Sequence, residues 1–354
     1  MIFFVTPANS AWGMEEYLQQ SGGKLARRLC VVTYEDIVAG KVLHLGTHIF
    51  SGLDQLCPTE RAIAARCWEE LARASQGVTL INHPAQALLR YQLLTTCFAS
   101  GRNIFRVHRA PALHRSLTFP VFLRPEREHT GGLTDLLYDR WQLVRALLTA
   151  LAWGHRVRDL LVVEYCHTAD SAGVFRLHCA SIVGERIIPQ VVVHNHNWVT
   201  KWEGRLVDPD KVREQLEYVE DNPHVEWLRA TFELAKIRYG RIDYGVKDGV
   251  PQVWEINTNP TIVRRAMKSN ALAEPQRAPL EPMRQRFLQR FQEALEAIDT
   301  DVDPARTIRF DLPRRQLRKL EAEKRLRRRL QARRTAMAQL VSGPARIARR
   351  VGLR

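Results

Sequence analysis

The sequence predicts an α/β protein: a small parallel α/β domain, then a region of mixed strands and helices, and last a basic helical tail. Strands and helices alternate over the first hundred residues, which is typical of a parallel sheet. Between residues 160 and 260, strand-like runs are separated by short turns, which indicates antiparallel hairpins. The formal net charge is +15, and residues 313–354 hold fifteen Lys or Arg against two Asp or Glu. The body is therefore nearly neutral, and the tail is the part that attracts an anionic partner.

The first hundred residues supply the elements of the parallel domain. The short apolar runs MIFFVTP, RLCVVTY and VTLINHP have the composition of buried strands. PTERAIAARCWEELARAS has the apolar spacing of an amphipathic helix, and AQALLRYQLLTTCFASG is a second helix closed by Gly101. The predicted domain covers residues 1–115.

The middle of the chain begins with the strand FPVFLRP, which leads into a charged loop and then into a long helix. The strand DLLVVEYC follows, and VFRLHCASIVGERIIPQVVV has the pattern of two antiparallel strands that turn near Gly184. GRIDYGVKDGVPQVWEINTNP predicts a further hairpin, and EPMRQRFLQRFQEALEAI an amphipathic helix. Residues 116–300 form the second predicted domain, and residues 301–354 are the tail.

The last hairpin brings acidic side chains together. Glu255 and Asn257 project from one face of their strand because side chains alternate along it. A two-residue turn at 248–249 would put Asp243 and Glu255 on opposite faces. Pro251 argues against that register, because it has no N–H for the ladder. With Pro251 in the loop, Asp243 lies opposite Glu255, at about 5 Å between β-carbons.

Two interpretations of this hairpin stay open from spacing alone. Like charges this close are unfavourable without a cation, and hard oxygen ligands of this kind suit Mg²⁺ together with substrate phosphates. The alternative is a polar strand face whose carboxylates form salt bridges, with Arg241 as a partner.

The runs RIDYG and VWEINTNP resemble the C-terminal motif of the ATP-grasp superfamily, in which an acidic residue and a Glu-x-Asn hold one or two Mg²⁺ ions against the phosphates of ATP. The resemblance covers roughly residues 1–300. It implies an ATP-grasp fold with two lobes that clasp ATP, preceded by a pre-ATP-grasp domain. It assigns Asp243, Glu255 and Asn257 as metal ligands, and Arg241 as a catalytic residue that faces the phosphates or an acyl-phosphate intermediate.

Other segments follow in the order that the family requires. FPVFLRP resembles its strand–Lys–Pro element, but this chain has Arg124 where the family has a phosphate-binding lysine. LLVVEYC resembles the hinge strand, where Glu164 would accept from the adenine amino group and the backbone of Tyr165 and Cys166 would meet the ring. Arg90 stands where the family often has its first nucleotide-binding lysine.

FRLHCASIVGERII is similar to the strand pair of the second lobe. The resemblance implies that Arg176, His178 and Lys201 point into the cleft, where Arg176 would stabilise negative charge and His178 is a candidate base. In the first domain, Asn82 and His83 of INHP are a candidate substrate edge.

The resemblance implies an ATP- and Mg²⁺-dependent (or Mn²⁺-dependent) ligase. In most of the family, a substrate carboxylate is activated as an acyl phosphate and is then attacked by an amine or a thiol. Two alternatives stay open: a small-molecule kinase, and a nucleotide-binding protein with little catalysis. The set Asp243, Glu255 and Asn257 favours the enzyme, whereas Arg124 in place of lysine and the glycine-poor loop after it keep the second alternative open.

The tail has two candidate partners, an anionic membrane surface and, as the weaker one, nucleic acid. It has no aromatic residue, which argues against stacking on single-stranded nucleic acid. No signal peptide is visible, and no apolar run reaches the length of about 18 residues that could span a bilayer. We therefore expect a cytoplasmic protein, with peripheral attachment to the inner membrane face as an alternative.

Overall fold

Two units make up the chain in its computed structural model. The first unit joins Met1–Ile104 with Cys166–Leu312, and the second joins Phe105–Tyr165 with Pro313–Arg354. The structure describes residues 1–40, 42–74, 77–112, 116–127, 131–200, 204–263, 274–301 and 306–351. The units group the chain differently from the three domains expected from the sequence, whose boundaries stay a prediction.

The strands are β1 (Ile2–Thr6), β2 (Leu29–Thr33), β3 (Val42–His44), β4 (Thr47–Phe50), β5 (Thr79–Ile81), β6 (Val107–Arg109), β7 (Val121–Pro125), β8 (Leu160–Glu164), β9 (Phe175–Val183), β10 (Arg186–Asn195), β11 (Tyr239–Lys247), β12 (Val250–Asn257) and β13 (Thr307–Arg309). The helices are α1 (Trp12–Ser21), α2 (Tyr34–Val38), α3 (Pro58–Arg73), α4 (Arg90–Ala99), α5 (Arg140–Ala152), α6 (Pro209–Glu220), α7 (Val225–Ala235), α8 (Glu274–Arg277), α9 (Glu281–Ala297) and α10 (Arg314–Val351).

The first unit contains a parallel sheet of order β2-β1-β4-β5. All five residues of β1 are buried, as expected for a central strand of a parallel sheet that is covered on both faces. Helix α3, which leads from β4 to β5, begins with a capping box: Cys57 N–H donates to the Glu60 carboxylate at 2.9 Å, and Glu60 N–H donates to Cys57 Sγ at 3.5 Å. The predicted parallel α/β architecture is confirmed.

The first unit also contains a four-stranded antiparallel sheet of order β10-β9-β11-β12 and a two-stranded sheet in which β13 pairs with β3. Strand β12 is an edge strand, and β11 lies between it and β9. The chain turns from β9 to β10 at Gly184, which has a φ of 64°. A β-carbon there would lie 2.8 Å from Cγ2 of Ile298, so both the backbone conformation and the close neighbour require glycine.

One hydrophobic core lies between the parallel sheet and the four-stranded antiparallel sheet of the first unit. The ring of Phe4 in β1 meets the ring of Tyr239 in β11 edge to face at 5.3 Å between centroids. Tyr17 of α1 and Phe291 of α9 make a second edge-to-face pair, also at 5.3 Å. These aromatic side chains are almost completely buried. The parallel sheet and the antiparallel sheet are therefore packed into a single folding unit.

The second unit has a three-stranded antiparallel sheet of order β6-β8-β7, and one face of it is covered by α5. Leu143 and Ala150 of α5 are buried against the sheet residues Val121, Leu123 and Val162. The basic helix α10 belongs to the same unit. Among the helices in the described part of the chain, none is both long enough and apolar enough to cross a membrane.

Candidate nucleotide and metal site

The β11–β12 hairpin places Asp243 directly opposite Glu255. The pairing expected from the sequence is therefore confirmed, but the reason given for it was wrong. The turn does consist of the two residues 248–249, and Pro251 lies inside β12, opposite Val246. Proline is tolerated there because β12 is the edge strand, where an N–H is not required for pairing with a further strand.

A one-residue bulge at Trp254 restores the alignment of the two carboxylates. Tyr244 pairs with Val253, whereas the next residue along β11, Asp243, pairs with Glu255, so that Trp254 is the extra residue. Its indole packs over Gly245, where a β-carbon would lie 2.7 Å from the Trp254 ring. The absence of a side chain at Gly245 therefore makes room for the bulge.

Each of the two carboxylates is held by an arginine of the same unit. Arg241 Nε and Nη2 donate to the two oxygens of Asp243 at 2.8 and 2.9 Å, a bidentate pair. Arg90, the first residue of α4, donates to Glu255 from a guanidinium that is only 5% exposed. Burial alone would lower the pKa of Arg241, but the charges of Asp243 and Glu255 and the thiol of Cys179 outweigh it and raise the pKa. The guanidinium group of Arg241 is therefore cationic.

The segment after β12 is tied to the C-terminal ends of two parallel strands. The Asn257 side-chain oxygen accepts from Asn259 N–H at 2.8 Å, which makes a local turn. Asn259 donates through Nδ2 to Thr6 Oγ1 at 3.1 Å, at the end of β1. Thr258 Oγ1 accepts from Leu53 N–H at 3.0 Å, just beyond β4. The three predicted metal ligands therefore lie beside the edge of the parallel sheet where ligands bind in open α/β folds.

Arg176 and His178 are not brought to this cluster. Asp243 pairs with Cys179 across β11 and β9, so its side chain shares a sheet face with Cys179. Arg176 and His178 are an odd number of residues from Cys179 along β9, and their side chains lie on the opposite face. They are therefore not on the sheet face that holds the predicted metal ligands, and their catalytic roles stay a prediction.

On that opposite face, both side chains have structural partners. Arg176 donates to Asp170 at 2.6 Å and to Glu214 at 2.7 Å. His178 stacks on Tyr244 at 5.1 Å between ring centroids and also contacts Tyr218 edge to face. Burial lowers the pKa of His178 to about 3, with the neighbouring His224 acting in the same direction. His178 is therefore neutral near pH 7, and it packs in the interior.

The predicted substrate edge at Asn82 is also corrected. Asn82 is buried with a φ of 64°, and its side chain donates to Tyr239 O at 2.8 Å and Phe50 O at 3.2 Å. Its side-chain oxygen accepts from Arg238 N–H at 2.8 Å and Tyr239 N–H at 3.1 Å. The amide therefore joins the end of the parallel sheet to the start of β11. Its neighbour His83 packs against Trp68 at 4.3 Å between rings.

In the second unit, Glu164 is held by its own surroundings. One oxygen accepts from Arg106 N–H at 2.9 Å, and the other accepts from Thr118 N–H at 2.9 Å. Burial alone would raise the pKa of Glu164, but these bonds and the Arg106 guanidinium outweigh it and lower the pKa. The Tyr165 N–H donates to Pro120 O at 2.9 Å. Adenine contacts of Glu164 and Tyr165 stay a prediction.

The remaining predicted nucleotide contacts are Arg124, Cys166 and Lys201. Arg124 lies in β7 opposite Leu161 and is half-buried. Cys166 begins the second stretch of the first unit, and burial raises its thiol pKa to about 11 against the opposing charge of Lys247, so the thiol is protonated near pH 7. Lys201 lies outside the described residues.

The oxygen donors of the hairpin fit a hard divalent cation. Asp243, Glu255 and Asn257 lie on one sheet face and offer two carboxylates and one amide oxygen, the ligand types that Mg²⁺ uses alongside water and phosphate. No group of three or more His, Cys, Asp or Glu residues in the described ranges is arranged to hold a metal ion. The hairpin has two such residues and an asparagine, which is the number expected when a substrate supplies further ligands.

Comparisons with known proteins find no matching family model. D-alanine–D-alanine ligase A from Bacillus cereus is 24% identical over 154 residues, which are 43% of this chain and 48% of that protein. The chain spans about half the length of the curated relatives that it matches. Solved D-alanine–D-alanine ligases from Bacillus anthracis, complexed with ATP, and from Coxiella burnetii superpose with TM-scores of 0.45 and 0.47. They are 14% and 13% identical, and they cover 83% and 84% of this chain and 98% of their own chains.

The sequence match to D-alanine–D-alanine ligases supports the resemblance that was inferred from the β11–β12 hairpin. D-alanine–D-alanine ligases are ATP-grasp enzymes, and this chain has a parallel sheet and antiparallel sheets in the order expected from its sequence. The predicted resemblance to the ATP-grasp superfamily is confirmed, and the predicted mixed α/β architecture, with one parallel sheet and antiparallel sheets, is confirmed too.

Proposed function

We propose that this protein is an ATP- and Mg²⁺-dependent ligase that joins a carboxylate to an amine. One observation supports this most strongly: Asp243 lies opposite Glu255, and Asn257 and Arg241 share their sheet face. The curated relatives have the name D-alanine–D-alanine ligase, which supports amino acids or short peptides as the substrate class. A thiol in place of the amine is the alternative acceptor.

Asp243, Glu255 and Asn257 would hold the metal, with Mn²⁺ as the alternative to Mg²⁺. When bound, the cation would neutralise the phosphate charge as the terminal phosphoryl group is transferred. Arg241 is cationic and lies beside Asp243, where it can turn toward an anionic group that approaches the hairpin. In the second unit, Arg124 would contribute charge to phosphate binding, as the family's lysine does.

The proposed reaction has two balanced steps. An oxygen of the substrate carboxylate attacks the γ-phosphorus, the bond to the bridging oxygen of ADP breaks, and ADP leaves. The amine nitrogen then attacks the acyl carbon, the bond to the phosphate oxygen breaks, and the amine loses a proton to solvent or to phosphate. The chain's own contribution is to position the reactants and to balance their charge, because no buried histidine at the hairpin is available as a base in the described part of the chain.

The ion pairs that arginines form with Asp243 and Glu255 determine whether we expect the metal to bind before the nucleotide or together with it. Two guanidinium groups already balance the two carboxylates, so the hairpin has no net negative charge to attract a cation by itself. A nucleotide adds several negative charges, and these charges attract the metal ion to the hairpin. Mg²⁺ alone is therefore expected to bind weakly, and Mg²⁺ with an ATP analogue much more tightly.

The same pairs also favour a second candidate function. If Arg241 and Arg90 keep both carboxylates during nucleotide binding, the protein would bind ATP with little catalysis. A kinase that phosphorylates a small molecule is a further alternative that shares the nucleotide site. The anionic partner of the basic tail, a membrane or nucleic acid, is a separate proposal from all three.

Calorimetry with a non-hydrolysable ATP analogue, with and without Mg²⁺, tests the proposal. Glu255→Gln and Asn257→Ala should abolish the Mg²⁺-dependent binding, whereas Glu185→Gln, at the exposed turn of the β9–β10 hairpin, should leave it unchanged. ADP release would then be screened with pairs of amino acids. Binding without ADP release for any pair would favour the second candidate, and no binding by folded wild type would overturn both.

A further inference from the structure

Helix α5 is apolar on the side that the fold leaves open. Its inner side, including Leu143 and Ala150, packs on the sheet of the second unit. On its outer side, Trp141 is 79% exposed and Leu148 is 61% exposed. The spacing of seven residues between them puts both on one stripe of the helix. A helix that is apolar on both sides is normally covered on both sides.

The exposure is concentrated and not scattered. Twelve large hydrophobic side chains are well exposed in the described part of the chain, and half of them fall within residues 133–151. The outer-face patch consists of Trp141, Val144, Leu148 and Leu151 of α5, and Leu133 and Tyr138 lie in the segment that leads into the helix. Single exposed apolar residues need no explanation, but a contiguous group of this size marks an interaction surface.

Basic residues outnumber acidic ones around the patch, although Asp135 and the N-cap residue Asp139 precede α5. Helix α5 contains Arg140 and Arg145 and has no Asp or Glu. Helix α10 of the same unit has eleven Arg or Lys and two Glu between residues 314 and 337. The two helices approach each other, since a β-carbon at Gly154, just beyond the end of α5, would lie 3.3 Å from Cδ of Arg333. The basic helix α10 therefore passes close to the C-terminal end of α5.

We propose that the second unit binds to an anionic lipid surface, with the outer-face patch entering the interface and the arginines of α10 contacting the headgroups. Exposed tryptophan, leucine and valine on one helix, with arginines on the same helix, are the composition of a helix that lies in a membrane interface. Clustered basic residues strengthen the binding of a protein to an anionic membrane.

Two other occupants fit the charges less well. A second copy of the chain that docks through this patch would bring the arginines of two α5 helices and two α10 helices together, which is repulsive. A specific acidic protein would need a defined basic face. The exposed residues Arg327, Arg328 and Arg329 follow one another along α10 and point about 100° apart, which suits a diffuse negative surface better.

Vesicle binding by the full chain tests the proposal. Wild type should co-sediment with vesicles of phosphatidylcholine mixed with phosphatidylglycerol, and not with vesicles of pure phosphatidylcholine. Trp141→Glu and Leu148→Glu should each weaken this binding about tenfold or more, as expected when one large apolar side chain is lost from the interface. Replacing Arg327, Arg328 and Arg329 by Gln should weaken it further and remove most of its salt dependence.

Leu216→Glu is the matched control, because Leu216 is 45% exposed on α6 of the first unit. It should bind vesicles as wild type does, and all variants should keep the wild-type circular dichroism spectrum and melting temperature. The proposal is overturned if the α5 variants bind vesicles as well as wild type. It is also overturned if wild type binds RNA and not vesicles, or forms a dimer that Trp141→Glu abolishes.

Discussion

Asp243 and Glu255 face each other across β11 and β12 because Trp254 is an extra residue in β12. Without that bulge, the two-residue turn at 248–249 would pair Asp243 with Trp254 and turn Glu255 to the other side of the sheet. The geometry of the candidate site therefore depends on a local irregularity of one strand. Gly245 permits it, because the Trp254 indole occupies the space where a side chain on Gly245 would be.

Gly245→Val should destabilise the protein and weaken nucleotide binding. The new side chain would overlap the Trp254 ring, and overpacking of this kind costs about 1–3 kcal/mol. We expect the free energy of unfolding to fall by that amount in urea titrations, and the Mg²⁺-dependent affinity for an ATP analogue to fall with it. Gly13→Ala is the control, because no atom lies within 4 Å of the added carbon and the residue is helical. Unchanged affinity in Gly245→Val would show that the bulge does not position Glu255.

Arg90 and Glu255 should be coupled in stability but not in function. Glu255→Gln leaves the buried guanidinium of Arg90 without this counter-charge, and breaking a buried ion pair from one side costs about 3 kcal/mol or more. The double variant Arg90→Met with Glu255→Gln should recover most of that loss in urea titrations. It should not recover binding of the ATP analogue. Restored nucleotide binding in the double variant would exclude Glu255 as a metal ligand.

Asn82→Ala should be among the most destabilising single changes in the first unit. It removes four hydrogen bonds to backbone groups of Phe50, Arg238 and Tyr239, and it places alanine at a φ of 64°. We expect a loss of about 3 kcal/mol or more in the free energy of unfolding. Asn82→Gly relieves the backbone strain alone and should recover only about 1 kcal/mol of it. Full recovery by glycine would mean that the hydrogen bonds contribute little.

The protein should lose stability on mild acidification because of two buried histidines. Burial lowers the pKa of His178 to about 3 and the pKa of His48 to about 4, whereas both groups titrate near 6.5 when unfolded. Above pH 6.5 both histidines are neutral in the folded and in the unfolded chain, so their titration does not lower the free energy of unfolding. As the pH falls below 6.5, these histidines bind protons in the unfolded chain but not in the folded chain. The free energy of unfolding therefore falls by about 1.4 kcal/mol per pH unit for each histidine. The decline ends only below the folded pKa of each.

Urea titrations between pH 7 and pH 5 check this dependence, with the variants His48→Gln and His178→Gln beside wild type. Each variant should be less stable at pH 7 but should decline less steeply with falling pH. His196→Gln is the control, because His196 is exposed. An identical slope in His178→Gln and wild type would rule out His178 as a source of the effect.

The sequence predicted the fold and the carboxylate pair better than it predicted the rest of the site. Strand and helix periodicity sufficed for the parallel sheet, and the motif sufficed for Asp243 and Glu255. The bulge at Trp254 was not foreseen, because a single extra residue leaves no mark in a period-two pattern. Pro251 was predicted to lie outside β12, because proline is tolerated only in an edge strand. That β12 is an edge strand is known only from the order of the whole sheet.

The surroundings of other predicted site residues also depend on residues that are distant in the sequence. Which face of β9 holds His178 depends on its register with β11, which is separated from it by more than fifty residues. Arg90 was assigned to the nucleotide, but it binds Glu255, 165 residues away in the chain. Asn82 looked like a polar strand end suited to a substrate, and only the position of β11 shows that its amide is used by backbone groups. Long-range pairing is the information that a single sequence lacks.

The core shared by the two sheets has a consequence for synthesis on the ribosome. Phe4 is covered by Tyr239, and Tyr17 is covered by Phe291, so the first strand and first helix wait for partners made near the end of the first unit. Until those residues emerge, the nascent N-terminal segment exposes apolar surface of the kind that chaperones bind. The segment Phe105–Tyr165, whose sheet and helix pack within the second unit, has most of its own partners much earlier.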